Sequence, residues 1–307
     1  MAPRTQRQLS LAGRSRADKL AHARISRMLP PIRLLAVDID GTLLDTRFQL
    51  PAANRDALVA AHARGIEIVL VTGRRFSFAR PIAALLPIDL TLVVNNGALI
   101  KSKEGNTFYR RLLPASLAVQ VLAGTTAWRH RALVLFDRTG TGEVLVENLD
   151  PAHEPVAGYF ERNRDAILLV DAFEDHLTKD PIQVLYAGPL QEMRALGRHL
   201  EGSDLADQIS VALAEYPRRN FTLLDVLTAG CTKATALAWW GRRRRIRREE
   251  IMAIGDNWND REMLEFCGLA VVMANSDEEL RHAGWPVTLS NDEAGVAAAI
   301  EKYILAT

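Results

Sequence analysis

The stretch Asp38-Ile39-Asp40-Gly41-Thr42-Leu43-Leu44 follows directly after the apolar run at residues 34–37. Four consecutive apolar residues predict a strand covered on both faces, as in a parallel sheet. Open α/β sheets bind their ligands outside the carboxyl ends of such strands. Asp38 and Asp40 are therefore candidate site residues, and two close carboxylates in an apolar setting favour a bound cation.

Further apolar runs alternate with helical patterns along the chain, which predicts an α/β core built on a parallel sheet. These runs are residues 66–71, 90–94, 251–254 and 269–273, and the helical patterns are 51–64 and 232–245. Between them, residues 101–216 show their own strands and helices. The predicted strands there are 107–111, 133–136, 143–147, 182–187 and 209–213, and the predicted helices are 114–128 and 189–200. We therefore predict a core of residues 32–100 and 217–307, interrupted by an inserted α+β domain at 101–216.

The composition is that of a globular protein with about two domains. The chain has 307 residues, of which 48% are apolar and 24% charged, and its formal charge is +1. This balance provides no overall field for nucleic acid or for a membrane surface, and no apolar run is long enough to span a bilayer. Two cysteines form no disulfide framework, so the expected location is the cytoplasm. The oligomeric state stays open.

Two basic segments have ordinary explanations. Residues 1–31 carry many arginines and a single acid, Asp18, which fits a disordered extension, a targeting leader or translation from upstream of a true start at Met28. The arginines at 242–245 follow a helical pattern, and cations are stabilised at a helix C-terminus. A solvated helix end is therefore a better interpretation than a nucleic-acid patch.

Three other motifs lie at predicted strand ends or helix starts. Thr72-Gly73 offers a hydroxyl and free amides to a phosphate, although a capped turn has the same residues. Lys233 lies at a helix start, where a cation opposes the dipole and a bound anion would explain it. Gly255-Asp256-Asn257-Trp258-Asn259-Asp260 carries more carboxylates and amides than a helix cap needs. All three can converge with Asp38 at one crevice of the sheet.

In their order and spacing these motifs resemble the haloacid dehalogenase superfamily, in particular the Cof-type (IIB) phosphatases with a large α/β cap. The resemblance covers residue 32 to the C-terminus and includes Asn95-Asn96-Gly97-Ala98, just before the insertion. It implies a Rossmann-like core, a parallel sheet between helices, with the insertion as a cap. Asp225 stands where the family tends to carry Glu, and the sequence assigns it no catalytic role.

The resemblance also implies a mechanism. Asp38 would be the nucleophile that forms an aspartyl-phosphate, and Asp40 the general acid and base. Mg²⁺ would be held by Asp38, the backbone carbonyl of Asp40, and Asp256. The non-bridging oxygens would be bound by the Ile39 amide, Thr72, Gly73, Lys233 and Asn259. Asp260 and Asn96 would support this shell from behind.

The expected function is hydrolysis of a small phosphorylated metabolite, a sugar phosphate or a similar compound. A phosphomutase or phosphotransferase would use the same intermediate, and a non-catalytic phosphate-binding regulator could share the fold. Selectivity is expected in the insertion and its border, where the candidate polar contacts are Arg129, His130, Arg131, Asp137, Arg138 and Arg218.

Overall fold

A computed structural model describes residues 30–148 and 154–306 of the chain. The predicted extension at 1–31 therefore lies outside the described residues, except for its last two positions. In the part that is described, none of the helices has the length and apolar character needed to span a membrane.

Within the described residues, the first sheet has seven strands, and its centre is parallel. In chain order the strands are β1 (Leu34–Asp38), β2 (Glu67–Val71), β3 (Thr91–Val94), β4 (Leu99–Ser102), β5 (Thr107–Arg110), β12 (Ile251–Gly255) and β13 (Leu269–Val272). Their spatial order is β13-β12-β1-β2-β3-β4-β5, in which the pairs β3–β4 and β4–β5 are antiparallel and the other neighbouring pairs are parallel. The predicted parallel sheet is thus present, with a hairpin added at one edge.

Helices cover both faces of this sheet because successive strand residues point to opposite sides. Leu35 and Val37 face a cluster formed with α1 (Ala52–Ala63), α2 (Phe76–Ala84) and α9 (Gly295–Ile300). Leu34 and Ala36 face the other cluster, formed with α6 (Lys233–Arg244) and α7 (Arg261–Phe266). A short helix, α8 (Glu278–Arg281), follows β13. The helical segments predicted around residues 51–64 and 232–245 match α1 and α6.

The second sheet has six strands in the part of the chain that the structure describes, in the order β10-β11-β9-β6-β7-β8. The strands are β6 (Ala132–Leu135), β7 (Val144–Val146), β8 (Ile167–Leu169), β9 (Gln183–Gly188), β10 (Ile209–Tyr216) and β11 (Phe221–Thr228). One face packs on α3 (Ala115–Gly124) and α5 (Leu190–Glu201). The other face carries α4 (Glu154–Asn163) and an apolar cluster that includes Leu135 and Leu185.

Sheet membership corrects both borders predicted for the insertion. Strand β5, which we predicted within 101–216, pairs with β4 in the first sheet. Its residues alternate between half-buried and exposed because it is an edge strand, unlike the continuously buried central strands of the first sheet. Strand β11, which we predicted in the core, pairs with β10 and β9. The polar turn at Pro217–Arg219 lies at the predicted border and connects β10 to β11 as a hairpin.

The arginine cluster lies at the C-terminal end of α6, as the helix-end interpretation predicts. Arg244 forms an ion pair with Glu67 at 2.7 Å and lies over the Trp240 ring. Arg245 ends the helix in the left-handed conformation. Both cysteines, Cys231 and Cys267, are buried and unpaired.

Candidate active site

Asp38 is the last residue of β1, and the chain turns sharply after it. Gly41 makes this turn possible because its φ is 77°, a value that side-chain-bearing residues rarely adopt. A Cβ on Gly41 would lie 2.2 Å from the Asp256 carboxylate, so only glycine allows this approach. The side chain of Ile39 is fully buried in the core, so a role in the site would fall to its backbone.

Lys233 joins two carboxylates beneath the site. Its Nζ lies 2.7 Å from Asp38 Oδ1 and 2.6 Å from Asp260 Oδ1, and all three side chains are almost completely buried. Burial acts to lower the pKa of Lys233, but Asp260 and Asp38 together raise it above its ordinary value. Lys233 is therefore a permanently charged support for the Asp38 carboxylate.

Asp38, Asp256 and Asp260 form the candidate cation cluster, with one carboxylate oxygen from each lying within 4.8 Å of the others. Burial, together with Asp260, raises the pKa of Asp38 to about 8. Burial and the charge of Asp38 also raise the pKa of Asp256 well above its ordinary value. Burial is the largest cause of both shifts, and the charges of the neighbouring carboxylates, which Lys233 does not fully compensate, add to it.

Within this cluster, the hydrogen bonds show which carboxylates have oxygens left to bind a cation and which one is fully hydrogen-bonded to the protein. Asp260 uses one oxygen for Lys233 and the other for the backbone amides of Asp256 and Asn257, at 3.0 and 3.1 Å. Asp256 accepts one hydrogen bond at 2.6 Å from Thr42 and lines the cavity. Asp256 and Asp38 therefore have oxygens left for a cation, whereas Asp260 is occupied. An all-oxygen, carboxylate-rich donor set fits Mg²⁺.

Asp40 is held by Arg74 through both of its carboxylate oxygens. Arg74 Nε donates to Oδ2 at 2.6 Å and Nη2 donates to Oδ1 at 2.5 Å. Burial acts to lower the pKa of Arg74, but the hydrogen bond to Asp40 raises it overall. The Asp40 carboxylate is thus committed to Arg74, so any contribution to a cation site would come from its backbone carbonyl. Arg74 directly follows the Thr72-Gly73 motif, but its position in the sequence does not indicate this role.

Thr72, Gly73, Asn96 and Asn259 lie together beside Asp38. The Arg74 amide donates to Thr72 Oγ1 at 3.1 Å, and the Asn96 amide donates to the Thr72 carbonyl at 3.1 Å. Asn259 Nδ2 donates to Asn96 Oδ1 at 3.4 Å. Thr72, Gly73 and Asn259 line the cavity, while Asn96 is buried behind them. Every sequence-predicted core site residue thus lies in this one region.

A cavity of about 750 Å³ opens above these residues and is walled by both sheets. The second sheet contributes Leu135, Leu185 and Leu223, and the β10–β11 hairpin contributes Tyr216 and Arg218. Burial and the charges of Asp40 and Asp38 raise the pKa of Tyr216. Tyr216 is a cavity residue that the sequence did not indicate, since a tyrosine at a strand end carries no motif.

Of the six candidate polar contacts, only Arg218 lines this cavity. Arg129 pairs with Glu147 and Glu174, and Arg131 and His130 lie near Glu192. Asp137 pairs with Lys101 and Arg110 and lines, with Arg138, a separate cavity of about 340 Å³. These five residues are satisfied elsewhere, which corrects the expectation that they contact the substrate.

A family model described as haloacid dehalogenase-like hydrolase matches residues 35–300. The chain belongs to this family. The turn after Asp38, the buried Lys233 and the carboxylate cluster described above all lie in one crevice of the matched region. Relatives include the HMP-PP phosphatase of Enterobacter sp. (strain 638), 31% identical over 81% of this chain and 86% of the relative. Phosphatase YwpJ of Bacillus subtilis is 28% identical over 87% of this chain and 98% of that protein.

Solved structures agree with this assignment. A haloacid dehalogenase-like hydrolase from Bacteroides thetaiotaomicron matches with a TM-score of 0.73 and 27% identity, over 88% of this chain and 99% of that one. A subclass IIB sugar phosphatase shares the fold with a TM-score of 0.69 and 24% identity, over 88% of this chain and 98% of that one. The predicted family and α/β fold are confirmed, and the chain is a phosphatase of this family.

Proposed function

We propose that this phosphatase hydrolyses a small phosphorylated metabolite through an aspartyl-phosphate on Asp38, with Mg²⁺ as its cofactor. One observation carries the proposal: the Asp38 carboxylate lies at the base of the cavity, held at 2.7 Å by a buried lysine and adjoining Asp256. The nucleophile is the ionised form of this carboxylate, which Lys233 and a bound Mg²⁺ would favour over the protonated form.

Mg²⁺ fits the donor set and would be held by Asp38, Asp256 and the Asp40 backbone carbonyl. When bound, it would neutralise negative charge between the nucleophile and the phosphoryl group. Asp260 would orient this shell through the amides of Asp256 and Asn257, to which its carboxylate is hydrogen-bonded. We propose these three groups, the Asp38 and Asp256 carboxylates and the Asp40 backbone carbonyl, as the protein ligands of the ion.

The chain's own residues account for both halves of the reaction. Asp38 attacks phosphorus while the ester P–O bond breaks. Asp40, in its protonated form and turned away from Arg74, gives the leaving alkoxide a proton. Asp40 then takes a proton from water, the water oxygen bonds to phosphorus, and the Asp38–phosphorus bond breaks. Thr72, Gly73, Asn259, Lys233 and the Ile39 amide would stabilise the non-bridging oxygens.

The leaving group would occupy the part of the cavity walled by the second sheet. Leu135, Leu185 and Leu223 offer it an apolar wall, and Arg218 and Tyr216 offer polar groups. Relatives named for HMP-PP and for 5-amino-6-(5-phospho-D-ribitylamino)uracil support a small metabolite of this kind. A sugar phosphate remains our proposed class, and the cytoplasmic location stays a prediction.

The test is to trap the intermediate. Wild-type enzyme is mixed with substrate and Mg²⁺, quenched in acid within milliseconds, and its peptides are mapped by mass spectrometry. We expect a phosphoryl group on the peptide that contains Asp38. Asp38→Asn should give no adduct and no turnover, while Asp89→Asn, at an exposed position, should behave as wild type. An active enzyme that never shows the adduct would overturn the proposal.

The same reaction distinguishes hydrolysis from phosphotransfer. Free phosphate formed in equal amount to the released alcohol supports a hydrolase. Phosphate retained on an added acceptor sugar would show a phosphotransferase or mutase that uses the same Asp38 chemistry.

A further inference from the structure

Asp225 lies on β11, in the second sheet, yet its carboxylate reaches the first sheet. Oδ2 accepts a hydrogen bond from Asn96 Nδ2 at 2.7 Å, and Oδ1 accepts one from Gln183 Nε2. The residue is almost completely buried, and in the residues that the structure describes no cation pairs with it within 4 Å. Burying a carboxylate without a cation costs free energy, and two amide donors offset only part of that cost. Asp225 therefore suggests a role other than ion pairing.

Asn96 connects this carboxylate to the phosphate-binding elements. It has a left-handed backbone with φ of 50°, and its Oδ1 accepts from Asn259 Nδ2 at 3.4 Å. The same Oδ1 lies 3.1 Å from the position that a Cβ on Gly73 would take. Asn96 therefore contacts both the Thr72-Gly73 turn and Asn259, which are separate parts of the proposed cradle.

The donor and acceptor chemistry fixes which way these amides point. An ionised carboxylate only accepts hydrogen bonds, so Asp225 in its ionised form requires the NH₂ group of Asn96 to face β11. The carbonyl oxygen of Asn96 must then face Asn259. Because this oxygen only accepts hydrogen bonds, Asn259 must turn its NH₂ group, and not its own oxygen, toward Asn96. The second N–H of that group remains for a ligand in the cavity, which Asn259 lines.

We propose that Asp225 is a positioning residue, which sets the amide orientation of Asn259 through Asn96 and so couples the second sheet to phosphate binding. The inference rests on the proposed role of Asn259. Asn96 and Gln183 both donate to Asp225. An asparagine at position 225 has only one acceptor oxygen, so its NH₂ group would face the NH₂ group of either Asn96 or Gln183. Asn96 or Gln183 must then turn over, and a turned Asn96 would misplace Asn259.

The alternative is that Asp225 only holds the two sheets together. Asp137 provides a matched control because it also bridges from the second sheet to the first, through Lys101 and Arg110 at 2.7 and 2.8 Å. Asp137 lines the smaller cavity and not the one above Asp38. Its Asp→Asn exchange perturbs the contact between the sheets without reaching Asn259.

The experiment compares wild type, Asp225→Asn, Asp137→Asn and the exchange Asn96→Asp/Asp225→Asn. The last variant can form the same hydrogen bonds from position 225 to Gln183 and from position 96 to Asn259. It reverses only the donor and the acceptor in the hydrogen bond between positions 96 and 225. Turnover of p-nitrophenyl phosphate with Mg²⁺ gives kcat and KM, and calorimetry gives the Kd of inorganic phosphate. Folding is checked by circular dichroism.

We expect Asp225→Asn to lower kcat and phosphate affinity by about tenfold to a hundredfold, the loss typical of a misplaced catalytic contact. Asp137→Asn should stay within about twofold of wild type, and the exchange should recover most of the lost kcat. Equal losses in Asp225→Asn and Asp137→Asn would overturn the proposal, as would a folded exchange variant that recovers nothing. If Asp225→Asn does not fold, the exchange variant decides alone.

These outcomes are separable from those for the proposed function. Full activity of Asp38→Asn would refute the aspartyl-phosphate without changing the comparison between positions 225 and 137. Phosphate binding is measured without turnover. It therefore tests the coupling of Asp225 to Asn259 even if p-nitrophenyl phosphate is a poor substrate.

Discussion

Lys233 Nζ lies 2.7 Å from Asp38 Oδ1, although the two residues are 195 positions apart in the chain. One begins helix α6 and the other ends strand β1, so the contact forms only when both halves of the first sheet have folded. Because Lys233 also holds Asp260 at 2.6 Å, a single buried cation separates two carboxylates.

Lys233→Met should damage both activity and stability. Removing one partner of a buried ion pair costs about 3–5 kcal/mol, because the remaining charges are left buried and unpaired. Here Asp38 and Asp260 would lose the only cation that either is bonded to among the described residues. Urea unfolding and kcat measure the two effects. Lys179→Met, at an exposed position, is the control and should change stability by less than about 0.5 kcal/mol. Unchanged stability in Lys233→Met would contradict this account.

The parallel sheet and the core site residues could be predicted because their signals are local. Strands β1, β12 and β13 are buried on both faces, so their apolar runs are continuous. Each motif follows such a strand or begins a helix, and the ends of parallel strands meet at one edge. Asp38, Thr72 and Asp256 could therefore be placed together from their positions in the chain.

The contacts between the two sheets could not be predicted in this way. The Asn96–Asp225 bond joins residues 129 positions apart, and neither residue type marks the other as its partner. The bidentate pair of Arg74 with Asp40 depends on side-chain direction, which spacing does not determine. For the same reason the borders of the insertion were wrong: an edge strand and a polar hairpin turn look alike in either sheet.

Gly41→Ala should abolish Mg²⁺-dependent turnover through one contact. The added Cβ would lie 2.2 Å from Asp256 Oδ2 and force this carboxylate away. Gly65→Ala is a matched control, since Gly65 has a similar φ of 82° and nothing within 4 Å of its Cβ position. Both variants should lose about 1–2 kcal/mol from the left-handed backbone, as measured by urea unfolding. Equal activity in the two variants would argue against a role for Asp256.

Asp40→Asn should slow the enzyme in a way that depends on the leaving group. An alkyl phosphate needs a proton on its departing oxygen, so its rate should fall by about 10²–10⁴. The p-nitrophenolate of p-nitrophenyl phosphate leaves without one, so the rate of the burst that releases it in the first turnover should fall much less. The measurement is a series of aryl and alkyl phosphates of graded leaving-group pKa. The same loss of burst rate for every ester would exclude Asp40 as the acid.

Mg²⁺ should raise the melting temperature of the wild-type enzyme, because an ion that binds only the folded state stabilises it. Asp256→Asn should lose this rise, since Asp256 is a proposed ligand. Asp292→Asn should keep it, because Asp292 only accepts hydrogen bonds from Thr46 in an exposed turn. Melting curves with Mg²⁺ and with a chelator measure the effect. A rise that persists in Asp256→Asn would place the ion elsewhere.

The pH dependence of stability should differ between wild type and Asp225→Asn. Burial raises the pKa of Asp225 to about 7 from an ordinary value of 3.8, although the hydrogen bonds from Asn96 and Gln183 act to lower it. Between these values the folded state binds a proton that the unfolded state does not, so the stabilisation present below pH 3.8 is lost as pH rises toward 7. The free energy of unfolding of wild type should therefore fall relative to that of Asp225→Asn between pH 5 and pH 7 and run parallel to it above about pH 8. Urea titrations at intervals of half a pH unit measure the two curves, and curves that stay parallel throughout would show that the carboxyl does not titrate in the folded protein.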